Sequence, residues 1–471
     1  MARRKKVASA LSPEEKLQQA LVPTEEQPYP IPKNWCWTYI GNCYEVTSSK
    51  RVHKEDWKDS GVPFYRTREL VKLSENGYVD NELFIANELY EKLVADYGKP
   101  KIGDVLISGV GTIGVPFIVK ENTPFYFKDG NVIWFQCKGI CLPEYIFYLY
   151  KSNFMNNLIH DMSAGTTVDT YTIVNANRTV FPLPPLAEQK RIVDRIESLF
   201  AKLDEAKEKA RAVVDGFGLR KSAILHKAFT GELTERWRKE HGVGLDSWVH
   251  SPWGNFIVSI EAGKNWSAEG RPPEDDEFGV VKVSAVTWGE FNELESKTCT
   301  INGQWNEKTQ IHTGDFLFSR ANTLQLVGNC VIVKNISRRL MLSDKILRFS
   351  FDKSVVPEYI LYFTHSDLYR GQIERLASGN QDGMRNVSQK NMKSVEFPVP
   401  LLSEQNELVC IIRNLYNKEQ KVKEAAEAVL DQIDTMKKSI LARAFRGELG
   451  TNDPTEESAA ELLKGNFQHM L

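Results

Sequence analysis

No apolar run in the chain approaches the roughly 18 residues that a bilayer-crossing helix needs, which excludes a membrane-spanning helix. The amino terminus, MARRKKVASA, has the basic start of a secretory leader. The apolar core that should follow is missing, because Pro13, Glu14 and Glu15 interrupt it, so a cytoplasmic location is expected. Cysteine is sparse: Cys36, Cys43, Cys137, Cys141, Cys299, Cys330 and Cys410 form an odd, scattered set of seven. Cys137 and Cys141 lie four apart, but no second Cys or His pair stands at zinc-ligand spacing, so reduced, buried thiols are expected rather than a metal centre. Excess basic charge is missing too. A formal net charge of −2 excludes a protein that coats nucleic acid by charge alone, but leaves room for local basic surfaces. There is no N/D-P-P-Y/F methyltransferase motif, no Walker A loop, and no carboxylate–lysine set at nuclease spacing that recurs in both halves. The histidines at 53, 160, 226, 241, 250, 312, 365 and 469 are scattered without a Cys or Asp companion. No catalytic or metal-ligating residue is assigned.

What the chain does have is a copy of itself. FPLPPLAEQKRIV begins at Phe181 and FPVPLLSEQNELV at Phe397; AFTGEL begins at Ala228 and AFRGEL at Ala444, both at an offset of 216. Upstream, PEYIFYLY at Pro143 matches PEYILYFT at Pro357 at an offset of 214, and GDVLIS at Gly103 matches GDFLFS at Gly314 at 211. An offset that drifts upstream but locks downstream indicates a tandem duplication with a variable part and a fixed part. The period is too long for a solenoid.

Between each proline gate and its AF-x-GEL exit, apolar residues recur at alternating steps of four and three. In the first copy they are Ile192, Ile196, Leu199, Leu203, Ala206, Ala210, Val213 and Phe217. In the second they are Leu408, Ile412, Leu415, Val422, Ala426, Val429, Ile433, Met436 and Ile440, with Glu419 the one polar intrusion. This is the 3.5-residue period of helices that keep one face on a partner helix, and the shared register lets the two pair, most simply antiparallel. At 1.5 Å per residue each would be about 60 Å long. Prolines 182, 184, 185, 398 and 400 hold the gate extended. Ser403, or less well Ala187, begins the helix; Glu188 or Glu404 complements its dipole; Gly231 and Gly447 permit the stop.

The rest reads as two compact α+β domains. The expected organisation is an N-terminal arm with a short helix capped by Ser12 (1–30), a first domain (31–185), a first long helix (186–233), a second domain (234–400), a second long helix (401–449) and a tail (450–471). Three loops in each domain mix basic, amide, hydroxyl and glycine residues: 47–57, 108–114 and 163–172, then 261–271, 319–328 and 378–390. Lys and Arg suit phosphates, Asn, Gln and Arg suit base edges, and Gly admits close backbone approach. GVGTIG at 109–114 matches the dinucleotide fingerprint, but VPFIVK follows it as another strand instead of a helix, so a tight loop at a strand end is expected.

The duplicated gate PLPPLAEQKRIV, the heptad helix and the KSAILHKAFTGEL exit resemble the specificity subunits of Type I restriction–modification systems. The likeness is close in the helical regions and loose in the variable domains. It implies a subunit without a catalytic centre, whose two target-recognition domains each read one half of a bipartite, asymmetric site in double-stranded DNA. The helix pair would fix the gap. Two modification subunits, which bind S-adenosylmethionine and methylate adenine, would dock on the scaffold, and restriction/translocase subunits would join for cleavage. The resemblance supplies no invariant base-reading residue. Candidate DNA contacts are therefore taken from loop position and chemistry: Lys50, Arg51, Lys54, Ser108, Thr112, Thr166, Thr167 and Tyr171 in the first domain, and Lys264, Arg271, Arg320, Asn322, Asn380, Gln381 and Arg385 in the second. The rivals are a stand-alone DNA-modifying enzyme with a built-in reader and a coiled-coil scaffold that binds only proteins.

Overall fold

The structure is a computed structural model that describes residues 12–163, 169–287, 289–301, 303–381 and 384–469. Among them no helix is long and apolar enough to cross a membrane. The chain separates into two units, residues 1–209 with 429–471 and residues 210–428, so each long helix is shared between them.

In the first unit the gate strand Val180–Leu183 pairs antiparallel with Cys36–Tyr39. A four-stranded antiparallel sheet runs Tyr44–Thr47, Val132–Cys137, Val105–Ser108, Pro116–Ile118. A second sheet runs Trp57–Lys58, Phe84–Ile85, Val62–Tyr65, Tyr126–Phe127, its last pair parallel. The strand Val105–Ser108, apolar through Ile107, is buried throughout, as a central strand covered on both faces requires. The second unit repeats this plan. Val249–Pro252 pairs with Glu396–Val399, and Ile257–Ala262, Ile346–Phe351, Phe316–Ser319 and Cys330–Ile332 form the central sheet. Ala268–Glu269, Ser296–Cys299, Gly279–Val281 and Leu340–Met341 form the second sheet. One element is reduced, among the described residues of the first unit, to the single bridge Val110–Thr170: a small sheet of Ala321–Asn322, Met384–Asn386 and Ser378–Gln381.

The gates do more than stiffen the chain. Tyr145 and Tyr359 each donate a 2.8 Å hydrogen bond to the carbonyl of the gate proline, Pro182 and Pro398. The buried Gln189 accepts from the Leu142 amide (2.7 Å) and donates to the carbonyls of Ile140 and Pro184; Gln405 does the same with Val356, Ser354 and Pro400. Each glutamine thus welds a helix start to the loop before the short helices Pro143–Tyr150 and Pro357–Thr364. The glutamate beside it ties the same helix start to the other helix's exit. In the first unit Glu188 accepts from Thr451 (2.7 Å) and Arg191, which also holds Glu456. In the second, Glu404 accepts from Thr234 (2.7 Å), Arg238 (2.8 Å) and the Trp248 indole (2.9 Å). The recurring gate and exit motifs are therefore complementary surfaces. The helices begin at Leu186 and Leu402, one residue before Ala187 and Ser403, so neither of those is the cap.

Within each unit the long helices run antiparallel. Asp204 pairs with Lys437 (2.6 Å) and Lys207 with Asp434 (3.6 Å) in the first unit; Arg220 pairs with Glu419 (2.6 Å) and Lys221 lies over the Tyr416 ring in the second. The second helix is continuous over Leu402–Ala444, whereas the first breaks between Leu186–Asp215 and Phe217–Phe229. Arg220 causes the break. Its Nη2 donates to the carbonyl of Val213 (2.8 Å), inside the helix ladder, and a Cβ at Gly216 would meet its Nη1 at 2.6 Å. Glu419, out of place in an apolar seam, is the partner of that arginine. The seam is also narrower than its heptads predict: Ile412, Ala426 and Ile433 are buried, but Val422, Val429 and Met436 are 40–49% exposed.

Two smaller expectations change. Cys137 and Cys410 are exposed, although Cys36, Cys43, Cys141 and Cys330 are buried. The tail contains a helix, Ala459–His469, which pairs with the capped N-terminal helix Pro13–Ala20 through Lys464 and Glu14 (2.9 Å).

Candidate nucleic-acid interface

In each domain the three chosen loops meet at one end of the central sheet, the second and third joined there by equivalent backbone hydrogen bonds. In the first domain Gly109 N donates to the Asn131 carbonyl (2.7 Å), Tyr171 N donates to the Gly109 carbonyl (2.8 Å), and Val110 bridges Thr170. In the second, Arg320 N donates to the Lys345 carbonyl (3.0 Å) and Val387 N to the Arg320 carbonyl (2.9 Å). The first loop of each set joins the same turn. Ser48 and Ser49 donate to the carbonyls of Val132 (2.7 Å) and Phe127 (2.6 Å), and Gly263 N donates to that of Ser343 (3.2 Å). Gly109 is required here, since a Cβ would stand 2.9 Å from the Tyr171 carbonyl. The segment after the glycine loop is the strand Pro116–Ile118, which makes the fingerprint a strand-end turn.

The two domains therefore share a scaffold but present different side chains. In the first, Lys50, Arg51 and Lys54 are exposed, with Lys50 above the Tyr97 ring (4.9 Å to its centre), and Thr112 is exposed at the glycine loop. Thr166 and Thr167 lie outside the described residues. Ser108 and Tyr171 are corrected: both are fully buried. The Ser108 hydroxyl accepts from Val115 N (2.8 Å), and the Tyr171 hydroxyl bonds those of Tyr150 (3.0 Å) and Thr179 (2.6 Å). Burial pushes the Tyr171 phenol up to about 12, which keeps it neutral. These hydroxyls hold loops in place and offer no face to a duplex.

In the second domain Lys264 is exposed beside the Trp266 ring. Arg271 is held by both carboxylate oxygens of Glu277 (2.6 Å each), which places it in an ion pair. Asn322 and Arg385 face each other across the small sheet, and Arg385 Nη1 donates to the Gly379 carbonyl (2.6 Å). Asn380 and Gln381 lie on the strand Ser378–Gln381, and their side chains fall outside the described residues. The turns that the first and second loops touch escaped the sequence reading: Lys128 and Asn131 in one domain, Lys345 in the other. Basic residues in a short turn between two strands gave no loop-length signal. Among the described residues no group of three or more His, Cys, Asp or Glu could hold a metal ion.

One duplicated scaffold thus carries two unlike loop platforms. The family described as the Type I restriction modification DNA specificity domain matches residues 32–213 and 281–430. The chain belongs to this family. It is 27% identical to the Type I restriction enzyme EcoKI specificity subunit of Escherichia coli K12, covering 92% of this chain and 95% of that one. It is 24% identical to the EcoBI specificity subunit of Escherichia coli, covering 90% and 89%. The solved HsdS subunit of Thermoanaerobacter tengcongensis has the same fold, with a TM-score of 0.61 at 18% identity over 90% of this chain and all of that one.

Proposed function

We propose that this chain is the non-catalytic, DNA-reading subunit of a cytoplasmic Type I restriction–modification complex, each of its two domains recognising one half of a bipartite, asymmetric duplex site. The observation that carries the reading is the convergence of three loops at one end of the sheet in each domain, the second and third joined by equivalent backbone hydrogen bonds, with different residues displayed. A duplicated scaffold with unlike loops suits two different half-sites, whereas two identical readers would demand a palindrome. The long helices set the gap between the half-sites. Val422, Val429 and Met436, seven residues apart and half exposed on one helix, support docking of other subunits along it. Those partners are two modification subunits, which bring S-adenosylmethionine and methylate adenine, and restriction/translocase subunits. The test is to express the chain with its modification subunits in a methylation-free host and map adenine methylation genome-wide. A single two-part motif is expected. Methylation without the partners would indicate an enzyme, and no motif with them would indicate a scaffold that reads no DNA.

A further inference from the structure

Arg66, Thr67 and Arg68 lie outside the three loops, yet Thr67, between the two arginines, touches the turn that the first two loops reach. The Thr67 hydroxyl donates to the Asn131 carbonyl (3.3 Å), the same oxygen that receives Gly109 N. The arginines on either side share one carboxylate. Arg66 binds Glu69 through Nε (3.0 Å) and Nη2 (2.7 Å), and Arg68 Nε reaches Glu69 Oε1 (3.0 Å). The Glu69 side chain is 3% exposed, against 28% for Arg66 and 53% for Arg68. The second nitrogen of Arg68, Nη2, meets Glu82 (2.7 Å), whose side chain is 70% exposed. The cluster therefore has a fixed part and an exchangeable part. A buried carboxylate between two guanidiniums is costly to disturb, while an exposed pair such as Arg68–Glu82 contributes little and yields to a competing anion. Glu69 stays charged in this setting: burial pushes its carboxyl up, but the hydrogen bonds and charges of Arg66 and Arg68 outweigh it and hold it at about 2.

We propose that Arg68 is a further DNA contact of the first domain, taking a backbone phosphate in place of Glu82, with Glu69 as the positioning residue that aims it and Arg66 as the second guanidinium that fixes Glu69. The inference rests on the reading of this domain as a DNA binder. A guanidinium fork suits a phosphate, and the turn that Thr67 holds through Asn131 also carries Lys128.

The experiment uses the full chain assembled with its modification subunits and a mixed-sequence duplex of about 30 base pairs, with binding followed by fluorescence anisotropy between about 50 and about 200 mM KCl. Arg68→Ala is expected to weaken binding about 3- to 10-fold and to flatten the slope of log affinity against log salt by about 0.9, the value of one lost phosphate contact. Arg68→Lys keeps the slope, because the charge remains. Glu82→Gln acts in the opposite direction, tightening binding about 2- to 5-fold, which no folding defect produces. Glu69→Gln moves with Arg68→Ala. An unchanged slope for Arg68→Ala, or no tightening for Glu82→Gln, overturns the inference and leaves the DNA reading standing. Failure of the wild-type assembly to hold any duplex overturns both.

Discussion

Replacing Glu404 by alanine should destabilise its unit far more than replacing Glu188 does its own, although the two glutamates stand at equivalent positions in the two copies. Glu404 is fully buried and its partner Arg238 is only 8% exposed, so the truncation strands a guanidinium in the interior. Breaking a buried pair on one side costs about 3–5 kcal/mol. It also takes acceptors from Thr234 and the Trp248 indole, and loosens Arg238, whose Nη2 closes the first helix by donating to the Gly231 carbonyl (2.8 Å). Glu188 is equally buried, but its partner Arg191 is 37% exposed and keeps Glu456. Water and a second carboxylate satisfy that arginine, so only charge-assisted hydrogen bonds are lost, at about 1–2 kcal/mol. Urea unfolding read by tryptophan fluorescence gives the totals, and hydrogen exchange over residues 230–248 and 447–458 gives the location. The double variant Arg238→Met, Glu404→Leu should recover most of the loss, because removing both charges leaves neither unpaired. Equal costs for Glu404→Ala and Glu188→Ala, or a cost below about 1 kcal/mol for the former, would refute the claim that partner burial sets the difference.

Glu69 and Glu188 predict opposite pH behaviour. The folded Glu69 carboxyl titrates at about 2 against an ordinary 4.5, so its contribution is present above about pH 4.5 and is lost as the pH falls toward 2; Glu69→Gln should lack this acid-labile component in thermal melts. Burial raises the Glu188 carboxyl, so its contribution is full below the ordinary value and shrinks as the pH rises through the folded one; Glu188→Gln should lose less stability than wild type over that rise. Arg385→Ala should relax or weaken only the half-site read by the second domain in methylation maps, by about 1–3 kcal/mol if it contacts a base; equal loss over both halves would signal misfolding. Adding one heptad after Lys202 and a matching heptad after Lys438 preserves the Asp204–Lys437 register and should lengthen the gap by about three base pairs, at about 10.5 Å of added helix, with both half-sites unchanged. Altered half-sites with an unaltered gap would separate the helices from the ruler role.

The duplication, the α+β domains and the antiparallel helices were legible because each leaves a periodic trace: a fixed offset, an apolar strand, a heptad. The helix break at Gly216 was not, since it depends on Arg220 reaching both the Val213 carbonyl and a glutamate about two hundred positions away. The meeting of the loops escaped for a related reason. Their composition is visible in sequence, but their convergence is made by backbone bonds such as Gly109 to Asn131 and Arg320 to Lys345, which carry no residue signature.

The buried hydroxyls were a different kind of error, and the duplication itself could have prevented one of them. Ser108 and Ser319 end the same strand in the two copies and are both fully buried. Domains that read unlike half-sites should differ wherever they touch base edges, so a buried residue kept in both copies belongs to the scaffold. The same argument returns Glu188 and Glu404, first assigned to a helix dipole, to the joint between helix start and neighbouring exit.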